Sequence, residues 1–160
     1  MISIHSRHEG TKALRVLVSA WRLLVLVWLI LMTTSLPAQT QGPRTIEKGD
    51  QSNIDSAKQV VVRAEAEWAQ LWRQHAPDRP QPRIDFSKET VIAVFMGSRP
   101  NAGFGTAIVS ATEGGGALVI RYSETRPSRD VITAQVITFP FHIAAIPKAT
   151  ATNVRFDKVE

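Results

Sequence analysis

The sequence has no cysteine and only four histidines among its 160 residues. Without cysteine, no disulfide can brace the fold and no thiol can carry a lipid, so stability must come from packing. His75 and His142 are the only histidines after the first 40 residues, and no His-x-x-x-His pair occurs, so we expect no metal site. No helix pattern follows Gly97, Gly103 and Gly105, so these glycines do not make a phosphate loop and we expect no cofactor.

Catalytic signatures are also missing. The chain has no Gly-x-Ser-x-Gly motif, and Glu65 and Glu67 fit the first turn of a helix better than an acid and base pair. His75 falls at the predicted end of that helix, where we expect it to satisfy terminal carbonyls. We therefore predict no catalytic residues and no enzyme activity.

One long apolar run exists, from Leu23 to Met32, and basic residues precede it. This order is typical of a secretory signal. As a helix, ten residues cover only about half of a bilayer core of about 30 Å, so no stable membrane span is expected once the leader is removed. We predict a signal peptide over 1–38, a flexible leash over 39–44 and a single domain over 45–160, located in the periplasm or secreted. Retention as an N-terminal anchor in the inner membrane is the alternative.

The positive charge belongs mostly to the predicted leader. Residues 1–38 contribute +3 of the formal +5, so the product after cleavage is only +2. So small an excess of positive charge does not indicate a nucleic-acid partner.

The segment Ala64–His75 has the clearest helical period. Trp68, Leu71 and Trp72 fall on one stripe, which is the pattern of a helix packed against a core. Pro77 should end the helix. We expect both tryptophans to be core residues.

The remaining chain has the pattern of strands. Val91–Met96 has no polar member, which predicts a central strand covered on both faces. Gly114–Gly116 predicts a tight hairpin, and Val131–Thr138 and Asn153–Val159 predict further strands. The expected fold is α+β, a mainly antiparallel β-sheet meander packed with one amphipathic helix.

Four motifs in this order resemble a known family. They are Glu65-Ala-Glu-Trp-Ala-Gln-Leu-Trp72, Asp85-Phe-Ser87, the glycine-containing stretch Gly97–Gly105 and Thr138-Phe-Pro-Phe141. Together they resemble the PrcB C-terminal domain family over roughly residues 59–148. The resemblance implies a small extracytoplasmic domain that binds a protein, such as an accessory or stabilising factor of an envelope or secreted protease complex.

The predicted partner-binding surface follows from the expected meander. Alternate connections of a meander lie at one end of the sheet, so the loops 97–103 and 125–130 should be neighbours. Arginine and aromatic residues are enriched at interface hot spots. The candidate residues, which we call the rim, are Arg99, Asn101, Gly103, Phe104, Arg126 and Arg129.

Two other functions remain open at this point. A protease inhibitor could present the hairpin from Arg99 to Phe104 to an enzyme cleft. A small extracytoplasmic enzyme with an unrecognised site is the second alternative.

Overall fold

The computed structural model describes residues 42–160. The predicted leader, its cleavage site and the first half of the leash lie outside the described residues. The described elements, in chain order, are β1 (Arg44–Gly49), β2 (Lys58–Val62), α1 (Glu65–His75), β3 (Glu89–Phe95), β4 (Gly105–Gly114), β5 (Ala117–Thr125), β6 (Phe141–Pro147) and β7 (Asn153–Val159). Over this part of the chain, no helix is long and apolar enough to cross a membrane.

The strands form two sheets, and the expected α+β class with one helix is confirmed. The larger sheet is antiparallel throughout, in the order β1-β6-β3-β2. The smaller sheet has the order β4-β5-β7, and β7 runs parallel to β5. Antiparallel pairing therefore dominates, as predicted.

The strand order is not that of a meander. Only β4 and β5 form a simple hairpin, whereas β6 lies between β1 and β3. The reason is burial. β3 and β6 are the two most apolar strands, and both are buried along almost their whole length. A strand of this kind is most stable in the middle of a sheet, where both of its faces are covered.

Helix α1 covers one face of the larger sheet. Trp68, Leu71 and Trp72 pack there against Val91 and Ala93 of β3. Trp68 is fully buried and its indole Nε1 donates a hydrogen bond to the Pro82 carbonyl at 2.9 Å. The prediction that both tryptophans are core residues is confirmed.

The smaller sheet covers the opposite face. Ile92 and Val94 of β3 contact a second core, to which β5 contributes Leu118 and Ile120. The β4–β5 turn has its two central glycines at φ 58° and 78°, which is the hairpin geometry that the glycine run predicted. Residues 42–160 thus form three layers: a helix, a four-stranded sheet and a three-stranded sheet.

The expected strand over Val131–Thr138 is wrong. The structure has a single bridge there, between Arg99 and Thr138. Val136 N–H donates to the carbonyl of Ala134 at 3.0 Å, so the chain turns where a strand would have to stay extended. β-branched residues form a strand only where a ladder partner is available, and here they remain in a loop.

His142 ties the two sheets together. Its Nδ1 accepts a hydrogen bond from the backbone N–H of Ile108 at 2.7 Å, at the point where the β4–β5 register shifts. Since Nδ1 is the acceptor, Nε2 carries the proton and donates to Thr45 Oγ1 at 2.9 Å. Burial is the main cause that lowers the pKa of His142 from 6.5 to about 4, and nearby Lys48 lowers it further.

This shifted pKa predicts a loss of stability in mild acid. Between pH 6.5 and 4 the unfolded chain binds a proton at His142 that the folded chain excludes, so the free energy of unfolding falls as the pH falls. The full shift corresponds to about 3 kcal/mol. Urea unfolding at several pH values measures this loss. The variant His142→Phe should be less stable at pH 7 but should have a flatter pH profile, and an equally steep profile would contradict the assignment.

Candidate functional site

Two loops meet at the open end of the β4–β5 hairpin. One precedes β4, the other follows β5, and Gly105 pairs with Thr125 where the hairpin ends. Gly103 has φ 93°, and a Cβ placed on it would lie 3.0 Å from the Pro127 Cβ, so the two loops are in close contact. The proximity expected from a meander therefore exists, but its cause is the single hairpin that both loops flank.

Arg99 is fixed on this surface by its backbone. Its N–H donates to the Thr138 carbonyl at 2.8 Å and its carbonyl accepts from the Thr138 N–H at 3.0 Å. Its guanidinium lies 5.9 Å from the centre of the Phe104 ring, within the range of a cation–π contact. Phe104 is half-buried beneath this charge.

Asn101 has a buried oxygen without a partner. Its backbone carbonyl accepts from Thr138 Oγ1 at 3.1 Å, but its side-chain Oδ1 has no hydrogen bond to any residue in 42–160. Most buried polar atoms in folded proteins are paired. The rim therefore contains a hydrogen-bond acceptor that the described fold leaves unused.

Arg126 and Arg129 are both exposed on the loop that follows β5. The structure thus collects three guanidinium groups on two contacting loops, with Asp130 as the acidic residue beside Arg129. Whether these six rim residues bind a partner stays a prediction.

Sequence reasoning missed the apolar part of this surface. Val131, Ile132, Val136 and Ile137 are 60%, 101%, 47% and 59% exposed, which is unusual for large aliphatic side chains lying so close together. Their composition predicts a strand, because β-branched residues favour strands. The flanking prolines Pro127 and Pro140 are the sequence signal that a loop is the better assignment.

A second candidate site lies at the end of α1. A cavity of about 510 Å³ is lined there by Ser52, His75, Glu47 and Arg79, among others. Ser52 Oγ lies 2.8 Å from His75 Nδ1, and His75 Nε2 lies 3.4 Å from Glu47 Oε2. This connectivity is that of a serine, histidine and carboxylate relay.

The surroundings of this relay fit a structural role. The side chain of His75 is fully buried, and Ser52 Oγ accepts the Ile54 N–H at 3.1 Å. The ring also packs edge-on against Phe141, with centroids 4.3 Å apart. The expectation that His75 satisfies helix-end carbonyls is wrong, because its ring joins the helix end to the turn that contains Ser52.

The protonation of His75 agrees with this environment. Burial is the main cause that lowers its pKa below the ordinary 6.5, while the Glu47 carboxylate opposes that shift and Arg79 adds to it. The imidazole is therefore neutral at pH 7.

Among residues 42–160, no group of three or more potential ligands could hold a metal ion.

Comparison with known proteins finds a family match in the middle of the chain. Residues 90–147 match the PrcB C-terminal family. The match runs from β3 to the end of β6 and contains the whole rim, and it confirms the resemblance recognised from the sequence. It covers less than half of the 160 residues and does not include α1. No curated protein and no solved structure matches the chain.

Proposed function

We propose that the protein is an exported, non-enzymatic protein-binding domain that serves as an accessory or stabilising factor of an envelope or secreted protease complex. The match to the PrcB C-terminal family, which takes its name from a protease-complex subunit, supports the link to such complexes. The basic start and short apolar run of the leader support export to the periplasm or beyond.

One observation carries the binding role. The structure places three arginines beside four exposed aliphatic side chains on two loops that contact each other. An exposed apolar patch bordered by charge marks an interaction surface, because such a patch raises the free energy of the isolated protein in water. The other large apolar side chains of this region, including Phe104, are at least half-buried.

Amide hydrogen exchange tests where the partner binds. Protein with a C-terminal tag is used to capture its partner from the native envelope. Amide exchange of the resulting complex is then compared with amide exchange of the protein alone. The amides of residues 97–104 and 125–138 should exchange more slowly in the complex. The hairpin tip 113–116, which is also exposed, should exchange at an unchanged rate. Protection at the tip or along α1 without protection of the rim would place the interface elsewhere.

A protease inhibitor is the alternative that a specific observation favours. The paired backbone of Arg99 and Thr138 holds the Arg99–Phe104 loop rigidly, as an inhibitory loop requires. The side chain of Arg99 lies over Phe104, however, and does not extend alone into solvent. Activity of the captured protease decides between the two: preserved or increased activity supports an accessory factor, and dose-dependent inhibition supports the alternative.

An enzyme using the Ser52 relay is the remaining alternative. Its support is the 2.8 Å contact of Ser52 with a neutral histidine at a cavity. Turnover of an ester or amide substrate without any partner, lost in Ser52→Ala, would favour it over a binding domain.

A further inference from the structure

The loop segment 131–137 combines exposed side chains with unused backbone donors. Among the described residues, the backbone N–H groups of Ile132, Thr133 and Gln135 donate to no other backbone group. Donors of this kind can pair with the carbonyls of a partner chain. The segment also has the β-branched composition of a strand without the ladder that a strand needs.

Three arginines directly precede this segment or are joined to its end. Arg126 and Arg129 precede it, and Arg99 is joined to its end by the bridge to Thr138. Asp130 is the acidic residue within this stretch. A partner with carboxylates at the matching positions would be attracted, and a basic one would be repelled.

We infer that the partner contributes a linear acidic segment, which lies along residues 131–137, pairs with their free backbone N–H groups, and places its carboxylates on Arg126 and Arg129. Apolar side chains of that segment contact Val131 and Ile132. The inference rests on the proposed function and adds the chemistry of the partner to it.

Two other kinds of binding partner for residues 131–137 fit the observations less well. A second copy of the chain would bring the arginines of one molecule against those of the other. A lipid surface would attract the arginines, but its hydrocarbon offers no acceptor for the backbone N–H groups of the inserted residues. A protein segment supplies both carboxylates and carbonyl oxygens.

A displayed library of random twelve-residue peptides identifies the preferred segment directly. The protein, purified after expression of the full 160-residue chain, is used to select peptides from this library. Selected peptides should be rich in aspartate, glutamate and β-branched residues. Selection of basic or neutral peptides, or no selection at all, would overturn the inference.

Variants of the segment then test the mode of binding with one selected peptide as a synthetic probe. Gln135 lies in a turn compatible with proline, since Val136 N–H bonds to the Ala134 carbonyl across it. Gln135→Pro removes one backbone donor and should weaken binding about tenfold. The matched variant Gln135→Ala keeps the donor and should bind like the wild type. Equal binding by both variants would exclude backbone pairing at this residue.

Two further measurements separate the possible occupants. Vesicles of phosphatidylglycerol should not bind the protein at physiological salt. Sedimentation velocity should show a monomer for both the wild type and Ile132→Ser, whereas self-association of the wild type that is lost in Ile132→Ser would identify a second copy as the binding partner. Vesicle binding or such self-association would replace the peptide as occupant. If rim variants lose the native partner while no peptide is selected, the proposed function stands and the linear acidic segment is wrong.

Discussion

Replacing Trp68 with alanine should lower the free energy of unfolding by about 3 to 5 kcal/mol, the range for losing a fully buried aromatic side chain. Trp68 has no exposed surface and packs at a centroid distance of 5.2 Å from Trp72. The substitution empties the space between α1 and the larger sheet and leaves the Pro82 carbonyl without its donor. Urea unfolding followed by far-ultraviolet circular dichroism measures the loss.

The same helix supplies the control. Gln70 is exposed on α1, and both glutamine and alanine favour helix, so Gln70→Ala should change stability by about 0.5 kcal/mol or less. A Trp68→Ala variant that unfolds like the wild type but loses its partner would make α1 a binding surface and the core assignment wrong.

The sequence predicted the elements better than their arrangement. The apolar stripe of α1 and the unbroken run in β3 were predictable because each pattern follows from a local requirement for burial. Three glycines likewise predicted the β4–β5 turn, since positive φ is favourable for glycine alone among common residues.

The order of the strands depends on long-range pairing, which no local pattern specifies. β6 inserts between β1 and β3, and β7 returns parallel to β5. A meander was predicted because neighbouring strands in sequence usually pair, and that preference was overridden where two strands both needed complete burial. The contact between the two rim loops was nevertheless predicted, because the hairpin alone is enough to produce it.

The candidate site was only half predictable. Arginine and aromatic residues indicate the rim from the sequence, but the composition of residues 131–137 predicts a strand. Their exposure follows from the absence of a neighbouring strand, which is a property of the folded chain. The relay of Ser52, His75 and Glu47 is likewise a property of the folded chain and has no local sequence signal. Ser52 and Glu47 are 23 and 28 residues from His75 along the chain.

Removing the three rim arginines should produce the largest loss of binding. The triple variant Arg99→Ala, Arg126→Ala, Arg129→Ala should weaken partner affinity about a hundredfold, which is about 1 kcal/mol for each lost charge–charge contact. Its binding should also depend less on salt, because fewer ion pairs are screened. Arg126 and Arg129 are exposed, so folding should remain nearly unchanged by circular dichroism.

The matched control removes the same charge elsewhere. Arg73, Arg83 and Arg121 are exposed in α1, in the connection to β3 and in β5, and their triple alanine variant has the same net charge as the rim variant. Titration of the captured partner against the two variants is the most direct measurement of whether the rim is the contact surface. Loss of affinity in the rim variant alone is the predicted result. Equal losses in both variants, or no loss in either, would show that the rim is only a solvated surface.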